Sequence, residues 1–218
     1  MLVATVFDLD ETLADSAATW QRVIGAVAAR HGYSWTSEDW RSIQGTSTQY
    51  WGGYLARHCE NLSMDDAIAE CVDGMVAATG AGAFGLLPCA ADLVAAAAEL
   101  GPVGLVSASP GRYVHAATTA FGLRPRLRAI VTGDDVAHGK PAPDPYLLAA
   151  RRLGVAPGQC LAVEDSGSGI RSAHAAGLVV LAIPNATTAF DFATLALADH
   201  LAADAHIAAK TVSALVGV

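Results

Sequence analysis

Short apolar runs alternate with amphipathic stretches along most of this chain. The first run, residues 2–7, is continuous, rich in β-branched side chains and bounded by polar residues, which predicts a buried parallel strand. Similar runs predict further strands at residues 103–106, 128–132, 160–163 and 178–183. Helical spacing between them predicts helices at residues 89–100, 111–121, 145–153 and 168–176. This alternation is typical of βαβ units, and Pro88 is expected in the first turn of its helix.

Residues 16–85 show a different pattern, with helical spacing and no strand signal. Ser16 and Ser37 are expected to cap the first two helices, and Ser63 with Asp66 resembles a capping box that opens another helix. Between them, residues 44–54 form a polar and aromatic stretch with two adjacent glycines, which we interpret as a loop. The sequence therefore predicts an all-helical insertion.

Together the two patterns predict an α/β fold: a three-layer, doubly wound, Rossmann-like parallel sheet with an inserted all-helical cap domain. The expected boundaries are residues 1–15 and 86–218 for the core and residues 16–85 for the cap. Beyond Pro184 the pattern is weaker. Residues 191–203 are expected to be helical, and residues 205–218 receive only a weak assignment.

Composition narrows the classes of partner. The chain has 218 residues, of which 53% are hydrophobic, yet it has no apolar run long enough to span a membrane and no basic, uninterrupted amino-terminal segment typical of a signal peptide. A net charge of −8 argues against nucleic-acid and anionic-membrane partners. Four cysteines without regular spacing indicate reduced thiols. We expect a cytoplasmic protein, monomeric or weakly homo-oligomeric, that acts on a small molecule.

Polar side chains follow each predicted strand where it ends. The first strand is followed by Asp8, Asp10 and Thr12, the second by Ser107 and Ala108, and the fourth by Glu164 and Asp165, while Lys140 precedes a helix. Because the carboxyl ends of parallel strands share one edge of the sheet, these groups are expected to converge. Two acids, a hydroxyl, a lysine and a second acid pair are the groups that phosphoryl transfer needs.

Each of these groups has an expected role. Asp8 is the candidate nucleophile, and Asp10 the candidate acid that protonates the leaving oxygen and then activates water. The phosphoryl oxygens are expected to contact Thr12, Ser107, Ala108 and Lys140. A magnesium ion, which prefers oxygen ligands, is expected at Asp8, Asp10 and Asp165, with Glu164 as a ligand or as a partner of the ligands.

The motifs FDLDETLADS, LVSAS, GKPAPDPY and EDSGSGIRSAHAAGL, in this order, resemble those of the haloacid dehalogenase-like hydrolase superfamily. The helical insertion resembles the cap of its phosphatase and β-phosphoglucomutase branch. The resemblance implies an aspartyl-phosphate intermediate on Asp8, and it implies that the Asp10 main-chain carbonyl is the magnesium ligand. The dehalogenases lack an acid at the second position of the pair, so Asp10 points to phosphate esters.

Substrate identity remains open among several hypotheses. β-Phosphoglucomutases carry cations where this chain has Thr48 and Pro110, which favours hydrolysis over mutase action and resembles sugar and hexitol phosphatases. The expected contacts to the leaving group come from a charge-free stretch of the cap: Gly45, Thr46, Ser47, Thr48 and Gln49. Phosphoglycolate hydrolysis would need Arg41 or Arg57 to reach the substrate, and a non-catalytic phospho-ligand sensor ranks lowest. Glu11, where many relatives have glycine, would add negative charge near the entrance.

Overall fold

The computed structural model describes residues 1–216, in which six parallel strands form one sheet. Their bounds are β1 Ala4–Phe7, β2 Val103–Val106, β3 Leu127–Val131, β4 Cys160–Glu164, β5 Val179–Ala182 and β6 His200–Leu201. The spatial order is β3-β2-β1-β4-β5-β6, and each neighbouring pair is parallel. The predicted doubly wound α/β sheet is confirmed.

Ten helices accompany the sheet in the described residues. They are α1 Ala17–Arg30, α2 Ser37–Ile43, α3 Thr48–His58, α4 Met64–Gly80, α5 Ala90–Leu100, α6 Gly111–Ala120, α7 Asp144–Leu153, α8 Gly167–Ala175, α9 Phe192–Leu195 and α10 Ala205–Leu215. None of them combines the length and the apolar character needed to cross a bilayer.

The sheet is covered on both faces because successive side chains of a strand point to opposite sides. In β1, Val6 joins a hydrophobic core shared with α7 and α8, whereas Phe7 joins a larger core shared with α5, α6 and α10. All four residues of β1 are buried. The central strand is therefore rigid, and it places whatever follows it at a defined point.

That point is where the direction of strand order reverses. From β1 the chain proceeds outward through β2 and β3, then returns to the other side of β1 and continues through β4, β5 and β6. Open α/β sheets form a crevice at the carboxyl ends of the strands on either side of such a reversal. Here those strands are β1 and β4, so the residues that follow Phe7 and Val163 are the ones that meet in the crevice.

Helices α1–α4, which we call the cap helices, lie between β1 and α5. The chain enters and leaves this insertion through two segments that lie side by side: Ala14 forms an antiparallel bridge with Leu86, and the Leu87 main-chain N–H donates to the Leu13 carbonyl at 2.8 Å. The cap is anchored further because α4 packs against α6 of the core. The division into domains at residues 16 and 85 stays a prediction.

Three predicted helix starts are wrong in detail. Ser16 occupies the N-cap position of α1 but makes no capping bond with its side chain; the Glu11 carboxylate accepts instead from the Ser16 and Ala17 main-chain N–H groups at 2.9 and 2.8 Å. The N-cap of α2 is Thr36 rather than Ser37. Pro88 lies before the N-cap of α5 rather than in its first turn. The Ser63 capping bond is confirmed.

The expected loop at residues 44–54 is also wrong, because most of it belongs to α3. Trp51 and Leu55 lie one turn apart on its buried face. A side chain at Gly52 would collide with Ile68 of α4, so this glycine permits close packing of two helices. Adjacent glycines predict flexibility from the sequence alone, whereas the contact with Ile68 explains Gly52.

The carboxyl-terminal prediction needs a similar correction. Of residues 191–203, only the four of α9 are helical, and β6 follows as a short edge strand. The weakly assigned residues 205–218 instead form α10, which packs against α5, up to residue 215. Residues 217–218 lie outside the described part of the chain. Alanine favours helix, which agrees with α10, whereas at His200–Leu201 pairing with β5 overrides the helical preference of the flanking alanines.

Candidate active site

Lys140 lies at the centre of the predicted site. Its Nζ donates to Asp8 Oδ1 and to Glu164 Oε1, both at 2.6 Å, and to the Val106 carbonyl at 3.1 Å. The lysine side chain is 4% exposed, and those of the two acids are 9% and 0% exposed. Although burial alone would lower the pKa of Lys140, the two carboxylates raise it above its usual range. Lys140 is therefore a permanent positive charge beside Asp8.

One lysine does not balance the acids around it. Asp8, Glu164 and Asp165 are all buried, and each can place an oxygen within 4.8 Å of the other two. Burial raises the pKa of Asp8 to about 7, although Lys140 acts in the opposite direction. Burial and the neighbouring Asp8 likewise raise the pKa of Asp165. An excess of buried negative charge on oxygen ligands fits a divalent cation such as magnesium.

The two acids that follow β4 are held by different partners. Both oxygens of Asp165 accept hydrogen bonds, Oδ1 from the Thr12 hydroxyl and Oδ2 from Asn185 Nδ2, each at 2.6 Å. Besides Lys140, Glu164 Oε1 accepts from the Tyr146 hydroxyl at 2.7 Å, and Oε2 accepts from the Ser166 hydroxyl at 3.0 Å. Thr12, expected to contact phosphate, is buried and faces Asp165 instead of the cavity.

Asp10 lies in a separate network of hydrogen-bond donors. Its Oδ1 accepts from the Ser16 hydroxyl at 2.7 Å, the Tyr113 hydroxyl at 2.8 Å and Trp20 Nε1 at 3.3 Å. Its Oδ2 accepts from the Ser109 hydroxyl at 2.8 Å and the Ser107 hydroxyl at 3.4 Å. Asp10 thus bridges the cap helix α1 and the loop after β2.

A cavity of about 560 Å³ opens between the sheet edge and the cap helices. From the core it is lined by most of the predicted residues: Asp8, Asp10, Ser107, Ala108, Lys140 and Asp165. Glu164 is fully buried beneath it. The structure therefore brings together the acids, hydroxyl and lysine expected from the strand ends, with the exception of Thr12.

The cap contributes fewer of its expected contacts. Gly45 and Thr46 line the cavity, but Ser47, Thr48 and Gln49 do not. Ser47 caps α3, and the Thr48 hydroxyl donates to the Ala108 carbonyl at 3.2 Å, which joins the cap to the core. The Ser47 hydroxyl is therefore used within the cap and the Thr48 hydroxyl between cap and core, and neither lines the cavity.

Aromatic and aliphatic side chains complete the cap wall. The cavity is lined there by Trp20, Ile24, Trp40, Ile43 and Trp51. Tyr54, in contrast, donates to Asp39 at 2.8 Å inside the cap. Arg41 from the cap and Arg171 from α8 also line the cavity, whereas the Arg57 guanidinium lies over the Tyr54 ring.

Several residues of this site were missed from the sequence. Asn185 follows β5 at the same sheet edge as the other strand-end groups, so its position carried a usable signal. Tyr113 and Tyr146 carried none, because each lies at an ordinary buried position of a helix and only its hydroxyl reaches an acid. Trp20 also carried no signal, because it lies on the buried apolar face of α1, where an aromatic residue is expected for packing alone.

Comparison with known proteins agrees with this geometry. A family model described as haloacid dehalogenase-like hydrolase matches residues 3–177. Protein CbbY of Rhodobacter capsulatus is 35% identical over 205 residues, covering 87% of this chain and 88% of that protein. Validoxylamine A 7'-phosphate phosphatase of Streptomyces hygroscopicus subsp. limoneus is 31% identical, covering 94% of both.

Among solved structures, CbbY from Rhodobacter sphaeroides in complex with xylulose-(1,5)-bisphosphate superposes with a TM-score of 0.85. The identity is 30%, and the superposition covers 94% of this chain and 95% of that one. The similarity therefore extends over both the sheet and the cap helices.

Proposed function

Since the chain belongs to the haloacid dehalogenase-like hydrolases and is a phosphatase of that family, we propose a substrate class and a route for it. We propose that it hydrolyses small sugar or polyol phosphomonoesters with the help of Mg²⁺. The proposed route passes through an aspartyl-phosphate on Asp8. The observation that carries it is the placement of Asp8, Lys140 and Asp10 around one cavity, with Lys140 Nζ 2.6 Å from the Asp8 carboxylate.

In the first step, a carboxylate oxygen of Asp8 attacks phosphorus and the bond between phosphorus and the ester oxygen breaks. Asp10 gives a proton to the departing oxygen, so the alcohol leaves neutral and the phosphoryl group stays on Asp8. Two negative groups must approach each other, and the charge of Lys140 reduces their repulsion. The Ser107 hydroxyl is placed to donate to a phosphoryl oxygen.

In the second step, Asp10, now a carboxylate, accepts a proton from a water molecule whose oxygen attacks the phosphoryl group. The bond to Asp8 breaks, inorganic phosphate leaves, and Asp8 returns as a carboxylate. The apolar cap wall around Trp20 and Trp51 reduces the amount of bulk water near this step. One acid thus serves both half-reactions.

Asp8 and Asp165 would hold the magnesium ion with their side chains, and the Asp10 main-chain carbonyl would be a third ligand. When bound, the ion supplies positive charge that keeps Asp8 ionised and screens the phosphoryl oxygens. Glu164 is better placed as the partner of Lys140, because it is fully buried and does not line the cavity, whereas Asp165 does. Thr12 and Asn185 would orient Asp165.

Three observations support a sugar or polyol phosphate as the substrate. The cavity volume of about 560 Å³ suits a small polar molecule. Its lining includes the uncharged polar residues Thr46, Thr187 and Thr188. The relatives reported above bear names, or bound ligands, that are phosphates of polyhydroxylated molecules. Arg41 and Arg171 could also contact a second anionic group, so sugar bisphosphates belong among the compounds to be tested.

The test is phosphate release from hexose, hexitol, glycerol, glycolate and sugar bisphosphate esters, with magnesium and with a chelator. Asp8→Asn serves as the blank, and Asp92→Asn, which changes an exposed acid in the first turn of α5, serves as the matched control. We expect release by the wild type and by the control, and none from Asp8→Asn or after chelation. Mass spectrometry of acid-quenched enzyme should detect one added phosphoryl group on the peptide that contains Asp8.

Two results would contradict the proposal. Glucose 1-phosphate isomerisation without phosphate release would show a mutase, which the structure disfavours because Thr48 contacts the Ala108 carbonyl and Pro110 has no charge. Equal release by wild type and Asp8→Asn would exclude Asp8 as the nucleophile.

A further inference from the structure

The two oxygens of the Asp10 carboxylate have different sets of hydrogen-bond donors. Oδ1 accepts from three groups, of which the Trp20 indole can only donate, while Oδ2 accepts from two serine hydroxyls of the loop after β2. Serine hydroxyls can rotate and accept as well as donate. The two oxygens are therefore not equivalent: Oδ1 is committed to protein donors, whereas Oδ2 can exchange its partners for a substrate.

Tyr113 is the donor to Oδ1 that comes from the core helix α6. It is fully buried on α6, and its ring packs edge-on against Trp20 with 5.1 Å between ring centroids. Its hydroxyl donates to Asp10 Oδ1 at 2.8 Å, although Tyr113 itself does not line the cavity that Asp10 lines. A fully buried ring has little freedom, so the position of its hydroxyl is set by the packing of α6.

We propose that Tyr113 is a positioning residue for Asp10: its hydroxyl holds Oδ1 and thereby directs Oδ2 at the ester oxygen that leaves. The inference rests on the proposed function, because it assumes that Asp10 protonates that oxygen. Without the Tyr113 hydroxyl, Oδ1 keeps the bonds from Ser16 and Trp20, both on the cap side, and the carboxylate can rotate away from the core.

The chemistry of the leaving group offers a specific test. An alkoxide is a poor leaving group and needs the proton from Asp10, whereas p-nitrophenolate is a stable anion that departs without it. The value of kcat/KM reports the steps up to loss of the leaving group and so isolates this event from hydrolysis of the aspartyl-phosphate. A positioning defect at Asp10 should therefore harm alkyl phosphates selectively.

The experiment compares Tyr113→Phe with the wild type on the best alkyl phosphate and on p-nitrophenyl phosphate. We expect kcat/KM for the alkyl ester to fall by about tenfold or more, the factor that corresponds to one lost hydrogen bond to a charged group. For the aryl ester the fall should stay below about threefold. Tyr33→Phe is the matched control, since it removes a hydroxyl that donates to a different carboxylate, Asp39, at 2.9 Å and outside the cavity.

An equal loss on both esters would overturn the proposal, because it would show a merely structural role, and so would no loss on either. If Tyr113→Phe does not fold, Tyr113→Met also removes the hydroxyl and fills the buried site with an adaptable apolar side chain, and it must show the same selectivity. Failure of the underlying function is distinguishable: in that case the wild type itself would release no phosphate above the Asp8→Asn blank.

Discussion

Replacing Lys140 with methionine keeps the length and apolar stem of the side chain and removes its charge. In the folded protein that charge faces Asp8 and Glu164, both buried, at 2.6 Å each. The substitution leaves three neighbouring carboxylates, those two and Asp165, without a cation. We therefore expect a loss of stability as well as of activity.

The size of the effect follows from the burial of the pair. Removing one partner of a buried ion pair costs about 3–5 kcal/mol, because the remaining charge is left without water or a partner. Protonation of Asp8, whose pKa is already raised to about 7, would reduce part of this cost. Glu164, which is fully buried, also loses its cation. For a chain of this length each kcal/mol shifts Tm by about 2 °C, so Tm should fall by about 6–10 °C.

The assay is thermal unfolding followed by far-ultraviolet circular dichroism in the presence of a chelator. Lys210→Met, at the only other lysine of the chain, is exposed and provides a matched control that should leave Tm unchanged. Adding magnesium should raise the Tm of Lys140→Met more than that of the wild type, because the ion replaces missing positive charge. Adding Glu164→Gln to Lys140→Met should recover part of the loss.

One result would refute this reasoning. If Lys140→Met unfolds at the same temperature as Lys210→Met in the chelator, the buried acids do not depend on Lys140 for charge balance. The lysine would then act only on the substrate.

Two further predictions concern the cap and the support of Glu164. Burial would raise the pKa of Asp39, but hydrogen bonds from Thr36 and Tyr54 outweigh it and lower the pKa from 3.8 to about 2. Because the pKa of Asp39 is lower in the folded state, the stabilisation by its carboxylate is complete above about pH 4 and is lost as the pH falls toward 2. Urea unfolding near neutral pH should therefore find Asp39→Asn less stable than the wild type by up to about 2 kcal/mol. This difference in stability should become smaller in acid. Gly169→Ala should reduce both Tm and turnover severely, since its methyl group would overlap the Glu164 carboxylate.

Each of these has its own control. If the stability gap between Asp39→Asn and wild type is the same at neutral and acid pH, the cap hydrogen bonds do not lower the pKa of Asp39. For the glycine, Gly80→Ala at the end of α4 meets no atom within 4 Å and should be neutral or slightly stabilising. A Gly169→Ala enzyme as stable and active as Gly80→Ala would show that Glu164 moves freely.

Much of the site was determined by the sequence, for a topological reason. A buried parallel strand needs a short apolar run, and all parallel strands end at the same edge, so the positions of Asp8, Ser107 and Asp165 follow from where the runs stop. The placement of Lys140 was suggested by the motif order rather than by a strand end. These positions depend on main-chain geometry and hardly at all on how side chains pack.

The sequence was less informative wherever a residue type suits two structures. Gly52 suits a loop or a close helix contact, and the presence of Ile68 on α4 decides for the helix. Alanine-rich residues 191–215 favour helix by local propensity, yet His200–Leu201 pair with β5 as a strand while residues 205–215 pack on α5 as a helix. Local propensity is a weak guide that tertiary contacts can override, so packing and strand pairing decide at these positions.

Only the tertiary structure decided the partners of the acids. Whether Thr12 faces phosphate or Asp165, and whether Asp10 is bound by Tyr113, depends on which hydroxyls come within about 3 Å, the range over which a hydrogen bond forms. Residues such as Asp10 and Tyr113 lie 103 positions apart in the chain. Sequence order determined the edge at which the chemistry gathers, and the packing of α1, α6 and α7 against that edge determined how each acid is held.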